Sequence, residues 1–227
     1  MNSVNQAVYV PGTNIYRFLT DASRKLPITG EPDDTNWRRW SMLHDENNYR
    51  MYFFKSNTRN KLYQFGWDGS SYKFGHHSIP ELEITGIPDD ADTGSFSMLY
   101  GEGEHRLYFR QLGNPTQLYQ FLWEPEKNTY TSFSLGSKLQ IVGFPDDTDW
   151  SRWSMLNDGK YYHIYAFKLG SNSELYQGVW NNSKQVYEHG YMFSEVLTLE
   201  GTPSNSNLAS MAMLHDGSDY HFYMQTL

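Results

Sequence analysis

Ile84-Thr85-Gly86-Ile87-Pro88-Asp89-Asp90 decides the architecture, because it recurs as Ile28-Thr29-Gly30-Glu31-Pro32-Asp33-Asp34, as Ile141-Val142-Gly143-Phe144-Pro145-Asp146-Asp147 and, more loosely, as Leu199-Glu200-Gly201-Thr202-Pro203-Ser204-Asn205. The glycines lie 56, 57 and 58 residues apart. Self-similarity at a fixed period of this order marks propellers and solenoids. A Met-Leu pair follows each copy (Met42-Leu43, Met98-Leu99, Met155-Leu156, Met213-Leu214), then a tyrosine (Tyr52, Tyr108, Tyr165, Tyr223), both in the same register. A third block reads Leu62-Tyr63-Gln64-Phe65, Leu118-Tyr119-Gln120-Phe121 and Leu175-Tyr176-Gln177-Gly178, and a fourth centres on Tyr16, Tyr72, Tyr130 and Tyr187.

Four short blocks per repeat, joined by turns such as Asp68-Gly69, Asp158-Gly159 and Asp216-Gly217, predict antiparallel strands linked by tight hairpins, since Asp-Gly supplies the positive φ such turns need. In the first repeat they are an inner strand from Trp40 to Asp45, a second from Tyr49 to Phe54, a third from Leu62 to Trp67 and an outer one around Tyr72. After Tyr223 only two blocks fit the last repeat. Val8-Tyr9-Val10, the Pro11-Gly12 turn and Ile15-Tyr16-Arg17-Phe18 supply its third and fourth, with Tyr9 in the place of Tyr63. The expectation is an all-β, four-bladed β-propeller with four antiparallel strands per blade, the N- and C-terminal halves closing one blade and leaving no open edge. It forms one domain over 1–227, with repeats at about 28–83, 84–140, 141–198 and 199–227 plus 1–27.

Composition agrees. The 227 residues hold 18 Tyr, 13 Phe and 7 Trp but only 38% hydrophobic residues, and aromatics suit half-buried pleated surfaces. Cysteine is absent, which excludes disulfides and thiolate metal sites. A net charge of −8 argues against nucleic acid, whose phosphates call for Lys and Arg. No apolar run approaches the ~20 residues of a membrane helix and no secretion signal opens the chain, so a cytoplasmic location without membrane contact is expected, secretion by a non-standard route being the alternative.

Tyr49-Arg50-Met51-Tyr52-Phe53-Phe54-Lys55 followed by Leu62-Tyr63-Gln64-Phe65 resembles the strand rhythm of hemopexin-like four-bladed propellers, without their Asp-Ala-Ala opening and disulfide. That resemblance implies binding functions: for proteins, for ions in the axial channel, or for polyamines. Blades rich in Trp, Tyr, Asn and Asp also resemble propeller lectins.

Repeats one and three share a fuller loop, Asp34-Thr35-Asn36-Trp37-Arg38-Arg39-Trp40 and Asp147-Thr148-Asp149-Trp150-Ser151-Arg152-Trp153. Trp beside Arg and carboxylate suits a sugar ring, whose apolar face stacks while charged groups take its hydroxyls. Trp37, Arg39, Asp34, Trp150, Arg152 and Asp147 are therefore the candidate carbohydrate residues; the competing expectation is that Trp40 and Trp153 pack between blades and the arginines pair with nearby Asp. The Pro-Asp-Asp carboxylates (Asp33, Asp34, Asp89, Asp90, Asp146, Asp147) form either an acidic rim or turn caps. His44, Tyr100, Asn157 and His215 end the inner strands and are the axial-channel candidates; the second strands carry Arg50, Arg106, His163 and His221 at equivalent points. No cofactor is expected beyond a channel ion, and the metal question stays open. Catalytic motifs are missing and carboxylates recur as equivalent copies, which favours binding over catalysis. The expected partner is a carbohydrate, or, on the hemopexin-like reading, a protein; an axial cation or polyamine binder, or an enzyme acting at the axis, is the third class.

Overall fold

In a computed structural model of the chain, residues 2–18, 25–76, 79–132 and 138–226 are described, and they form a single twenty-stranded sheet. Repeat one holds β4 (Thr35–His44), β5 (Tyr49–Lys55), β6 (Lys61–Trp67), β7 (Tyr72–Phe74) and β8 (Glu81–Thr85). Repeat two holds β9 (Ala91–Gly101), β10 (Glu104–Gln111), β11 (Asn114–Glu124), β12 (Thr129–Ser132) and β13 (Lys138–Val142). Repeat three holds β14 (Thr148–Asn157), β15 (Tyr162–Lys168), β16 (Glu174–Asn181), β17 (Val186–His189) and β18 (Val196–Glu200). Repeat four holds β19 (Ser206–His215) and β20 (Tyr220–Thr226), then β1 (Ser3–Val10), β2 (Ile15–Phe18) and β3 (Lys25–Thr29). β1 and β20 pair antiparallel from Val4↔Gln225 to Val8↔His221, joining the two ends of the chain in one unit. The inner strands β4, β9, β14 and β19 neighbour one another in a closed cycle. The result is a ring-like all-β sheet of the β-propeller kind. Among the described residues no helix is long and apolar enough to cross a membrane.

The expected four strands per repeat become five. β8 pairs antiparallel with its own β6 and parallel with β12 of the next repeat; β13, β18 and β3 make the same double pairing. The repeat boundaries read at 28, 84 and 141 therefore fall inside strands. The bridging strand ends at the repeated glycine: Gly30, Gly86, Gly143 and Gly201 have φ between +71 and +77, a conformation that costs a β-carbon side chain strain. The Pro-Asp-Asp turn follows, closed by Thr35, Ala91, Thr148 and Ser206 N–H donating to the carbonyls of Pro32, Pro88, Pro145 and Pro203.

Register in repeat four also differs from the sequence reading. Tyr9 pairs with Tyr16 as Trp67 pairs with Tyr72, so Tyr9 stands in the place of Trp67. The Leu-Tyr-Gln-Phe block is Val4-Asn5-Gln6-Ala7 here, with Gln6 its surviving mark.

Because strand side chains alternate between faces, each strand feeds two cores. Leu43, Tyr52 and Phe54 pack with Met98, Phe109 and Tyr130 across repeats one and two, while Met42, Met51 and Phe53 pack with Leu214 and Tyr223 of repeat four. Two equivalent cores fill the remaining junctions. Both faces are buried, which explains why β5 and β6 are apolar almost without alternation; each such side chain contributes about 1.5–3 kcal/mol when fully buried. Both tyrosine series have a structural task. Tyr130 lies beside Tyr52, Tyr187 beside Tyr108 and Tyr16 beside Tyr165 across repeats, and Tyr72 faces Tyr223. Burial drives all eight phenols above their ordinary pKa.

Candidate functional site

Three kinds of site follow from this frame: the two ends of the ring axis and the clefts between repeats. At one end, His44, Tyr100, Asn157 and His215 line a single axial cavity with the four Met-Leu pairs. Asn157 Nδ2 donates to the Tyr100 carbonyl (2.9 Å), and the His44 ring lies against Tyr49 with centroids 4.4 Å apart. Burial lowers the pKa of both His44 and His215, only partly opposed by Asp216 and Asp45 for the first and by Asp158 and Asp216 for the second. Further along the axis, Met98, Met155 and Met213 N–H groups donate to Ser41, Ser97 and Ser154 Oγ of the preceding repeat (2.8–2.9 Å). The fourth copy, Ala212, offers Met42 no hydroxyl.

The other end is formed by bulges. Each inner strand leaves the ladder for three residues, at 37–39, 93–95, 150–152 and 208–210, and an Asn or Asp before each bulge accepts the N–H two residues on (Asn36, Asp92, Asp149 and Asn207; 2.9–3.1 Å). This early pairing is why β4 begins at Thr35 rather than Trp40. Trp40 and Trp153 are buried and donate to Ser210 Oγ (2.6 Å) and Ser95 Oγ (3.0 Å) of the adjoining repeat. Trp37 and Trp150 are half-buried against Phe53 (centroids 4.7 Å) and Phe144 (4.9 Å). Arg39 stacks over Phe54 at 3.7 Å and Arg152 over Phe167 at 4.2 Å. Arg152 also donates to Asp149 (2.7 Å) and to the Ser171 carbonyl (3.1 Å). Asp34 and Asp147 accept from Tyr63 and Tyr176 hydroxyls (2.6 and 2.7 Å), as Asp90 does from Tyr119 (2.6 Å). The second Asp of each Pro-Asp-Asp turn thus clamps the third strand.

The clefts between repeats are not among the sites expected from the sequence, although the second-strand residues that wall them stand out in it. Repeats one and two enclose Arg50, Tyr52 and Gln64 with His105, Trp123 and Tyr130. Repeats four and one enclose Gln6, His221 and Tyr223 with Tyr49, Trp67 and Tyr72. Repeats three and four enclose His163, Tyr165 and Gln177 with Tyr9, Tyr16 and Tyr220, under Phe193. At the fourth junction Arg106 lies 5.5 Å from the Tyr162 ring centroid and binds Glu102 and Glu104. A carboxylate backs the Arg or His in every case. Asp45 Oδ2 takes Arg50 Nε (2.6 Å) and His105 Nε2 (3.0 Å); burial would raise its pKa, but these bonds hold it below the usual value. His163 Nδ1 meets the Gln177 amide (3.0 Å) and His221 Nδ1 the Gln6 amide (2.8 Å). An amide nitrogen only donates, so each Nδ1 accepts and each Nε2–H donates, to Asp158 (3.0 Å) and Asp216 (2.8 Å). Asp216, Asp219 and His221 bring ligand atoms within 4.8 Å, but Asp216 is taken up by His221 and by the N–H groups of Ser218 and Asp219.

No family model and no curated protein matches the chain. Solved structures do. The six-bladed, fucose-recognising lectin of Aleuria aurantia is 15% identical, with a TM-score of 0.37 over 82% of this chain and 54% of that one. AofleA from Arthrobotrys oligospora is 15% identical, with a TM-score of 0.36 over 81% and 48%. A xylan β-1,4-xylosidase from Bacillus halodurans is 11% identical, with a TM-score of 0.45 over 91% and 41%. The chain spans about half the length of the first two. These are likenesses to β-propellers. No hemopexin is among the matches named, and the Tyr49–Lys55 rhythm is accounted for by a strand buried on both faces.

Proposed function

We propose that the chain is a four-bladed β-propeller that binds carbohydrate without catalysis, in the clefts between blades. The blade count rests on the closed cycle of β4, β9, β14 and β19 and on the union of β20 with β1. One observation carries the function: the same wall recurs at the junctions, an aromatic ring from one repeat (Trp67, Trp123 or Tyr9) facing a carboxylate-backed Arg or His from its neighbour. A sugar needs this pair of surfaces, a flat apolar face to stack on and oriented polar groups for its hydroxyls. Repetition suits recognition, since weak equivalent sites add through multivalency. We place the sugar here rather than on Trp37, Arg39, Asp34, Trp150, Arg152 and Asp147 because the two loop tryptophans pack against Phe53 and Phe144 and the two carboxylates hold tyrosine hydroxyls.

The test is a glycan array followed by calorimetric titration. The native protein is expected to bind at more than one site per chain, Trp67→Ala/Trp123→Ala to lose two of them, and Trp37→Ala/Trp150→Ala to keep all. Loss confined to the Trp37/Trp150 variant would move the site to the loops. A blank array would end the carbohydrate reading.

A further inference from the structure

Four equivalent side chains, Asn36, Asp92, Asp149 and Asn207, begin the four bulges, and they obey a charge rule with one exception. Where the residue is Asp, a guanidinium sits on its Oδ2: Arg110 on Asp92 (2.5 Å) and Arg152 on Asp149 (2.7 Å). Where it is Asn207, the partner is the neutral Gln225 (3.3 Å). Repeat one breaks the pattern, keeping the arginine, Arg39, but carrying Asn36 in place of the carboxylate.

The consequence is visible in the bonds. Arg39 has one weak hydrogen bond, Nη1 to the Thr58 carbonyl at 3.4 Å, while its Nε and Nη2 are buried without a protein partner. Burial lowers its pKa to about 10, with only Asp92 opposing at a distance. A buried cation with no counter-charge is costly. The free edge is also the informative one. Nε and Nη2 together form the fork that grips an oxyanion, and in this protein Arg17 uses that edge on Glu200 (3.1 and 2.9 Å) and Arg106 uses it on Glu104 (3.2 and 3.0 Å). Arg39 lines the cleft at the bulge end of the axis with the exposed Arg38 beside it and Ser95, Ser151 and Ser210 around it. Residues 37–39 stand outside the ladder, so turning the fork toward this cleft breaks no strand hydrogen bond.

We propose that Arg39 is an oxyanion-binding site, taking a carboxylate or sulfate group from outside the chain where Arg152 takes one from Asp149. The group arrives either as a free anion or as the acidic substituent of a glycan; the chemistry at the fork is the same. The site does not depend on the clefts binding sugar.

Thermal unfolding in sodium acetate and in sodium sulfate tests it on three proteins: native, Asn36→Asp and Arg39→Met. The native melting temperature is expected to rise saturably, by about 3 °C, beyond any rise in the variants. Asn36→Asp supplies the counter-charge internally, so it should start higher in low salt and stay flat; Arg39→Met should also stay flat. A native response to a glucuronate-ended oligosaccharide at concentrations where acetate has none identifies the glycan as the source, and a response to acetate alone identifies the free anion. Native protein that tracks both variants in every titration overturns the proposal, as does an Asn36→Asp response equal to the native one. Should Asn36→Asp fail to fold, the native against Arg39→Met comparison decides.

Discussion

The Met-Leu wall of the axis and the clefts are built by the same repeat, yet one is uniform and the other varied. Around the axis, Met42, Met98, Met155 and Met213 are all but fully buried, and at three of the four junctions a serine hydroxyl ties one inner strand to the next. In the clefts, Arg50, Arg106, His163 and His221 occupy one position with different charge and size. A close-packed centre tolerates little change in volume, whereas a half-open cleft can alter its polar groups while the aromatic wall stays. Uniformity therefore marks the ring's frame, and variation the clefts where we propose that a ligand binds.

The sharpest way to break this contrast is Met155→Ala, expected to cost about 2–5 kcal/mol in urea unfolding as a core truncation; Trp123→Ala, in a cleft, should cost well under that. Equal costs would show the clefts to be frame as well. Next comes Arg50→Met, expected to cost about 1–3 kcal/mol because it strips Asp45, a buried carboxylate, of its nearest charged partner. Calorimetry would read that loss. Acid should separate the two regions by pH. Burial lowers the folded pKa of His44 and His215 at the axis, so the unfolded chain takes up protons first as pH falls through ~6.5, and stability drops there. In the clefts, Asp158 and Asp216 lie well below the ordinary carboxylate value, because hydrogen bonds from His163, Tyr220, His221 and backbone N–H groups outweigh burial. Their contribution is complete above ~3.9 and is lost only as pH falls toward the depressed folded values. Melting curves should therefore fall in two stages, His44→Gln/His215→Gln flattening the first and Asp158→Asn the second. The smallest effect is a gain: Ala212→Ser restores the missing hydroxyl for Met42 N–H and should add about 0.5–1.5 kcal/mol.

Much of the frame could be read beforehand. The repeated glycine, the Met-Leu pairs and both tyrosine series gave the period, and each has a definite place: a left-handed turn, the axial wall, the buried tyrosine pairs beneath the clefts. The fifth strand was hidden because Glu81–Thr85 and Lys138–Val142 are five residues long and half their pairing is to another repeat, which no local pattern records. Tyr9 was assigned Tyr63's place because Val4-Asn5-Gln6-Ala7 keeps only the glutamine of its block. The clefts were hard to see for a related reason. Arg50 and His163 were visible as equivalents, but the facing rings, Trp123 and Tyr9, come from the neighbouring repeat. Arg39 and Arg152 looked interchangeable, and one residue, Asn36 against Asp149, separates them.

The pairing of β1 with β20 has a kinetic side. Ser3 Oγ bonds Thr226 Oγ1 across 223 residues of chain, so the fourth unit cannot assemble until its last strand is available, and loop closure between such distant segments is slow. A ribosome-bound chain would hold β1 unpaired on one side while repeats one to three complete their hairpins, a state with an exposed strand edge and a need for protection. Rejoining the ends through a linker and cutting instead at the Asp158-Gly159 hairpin would turn that closure into a local step, and refolding should speed up with the ring unchanged.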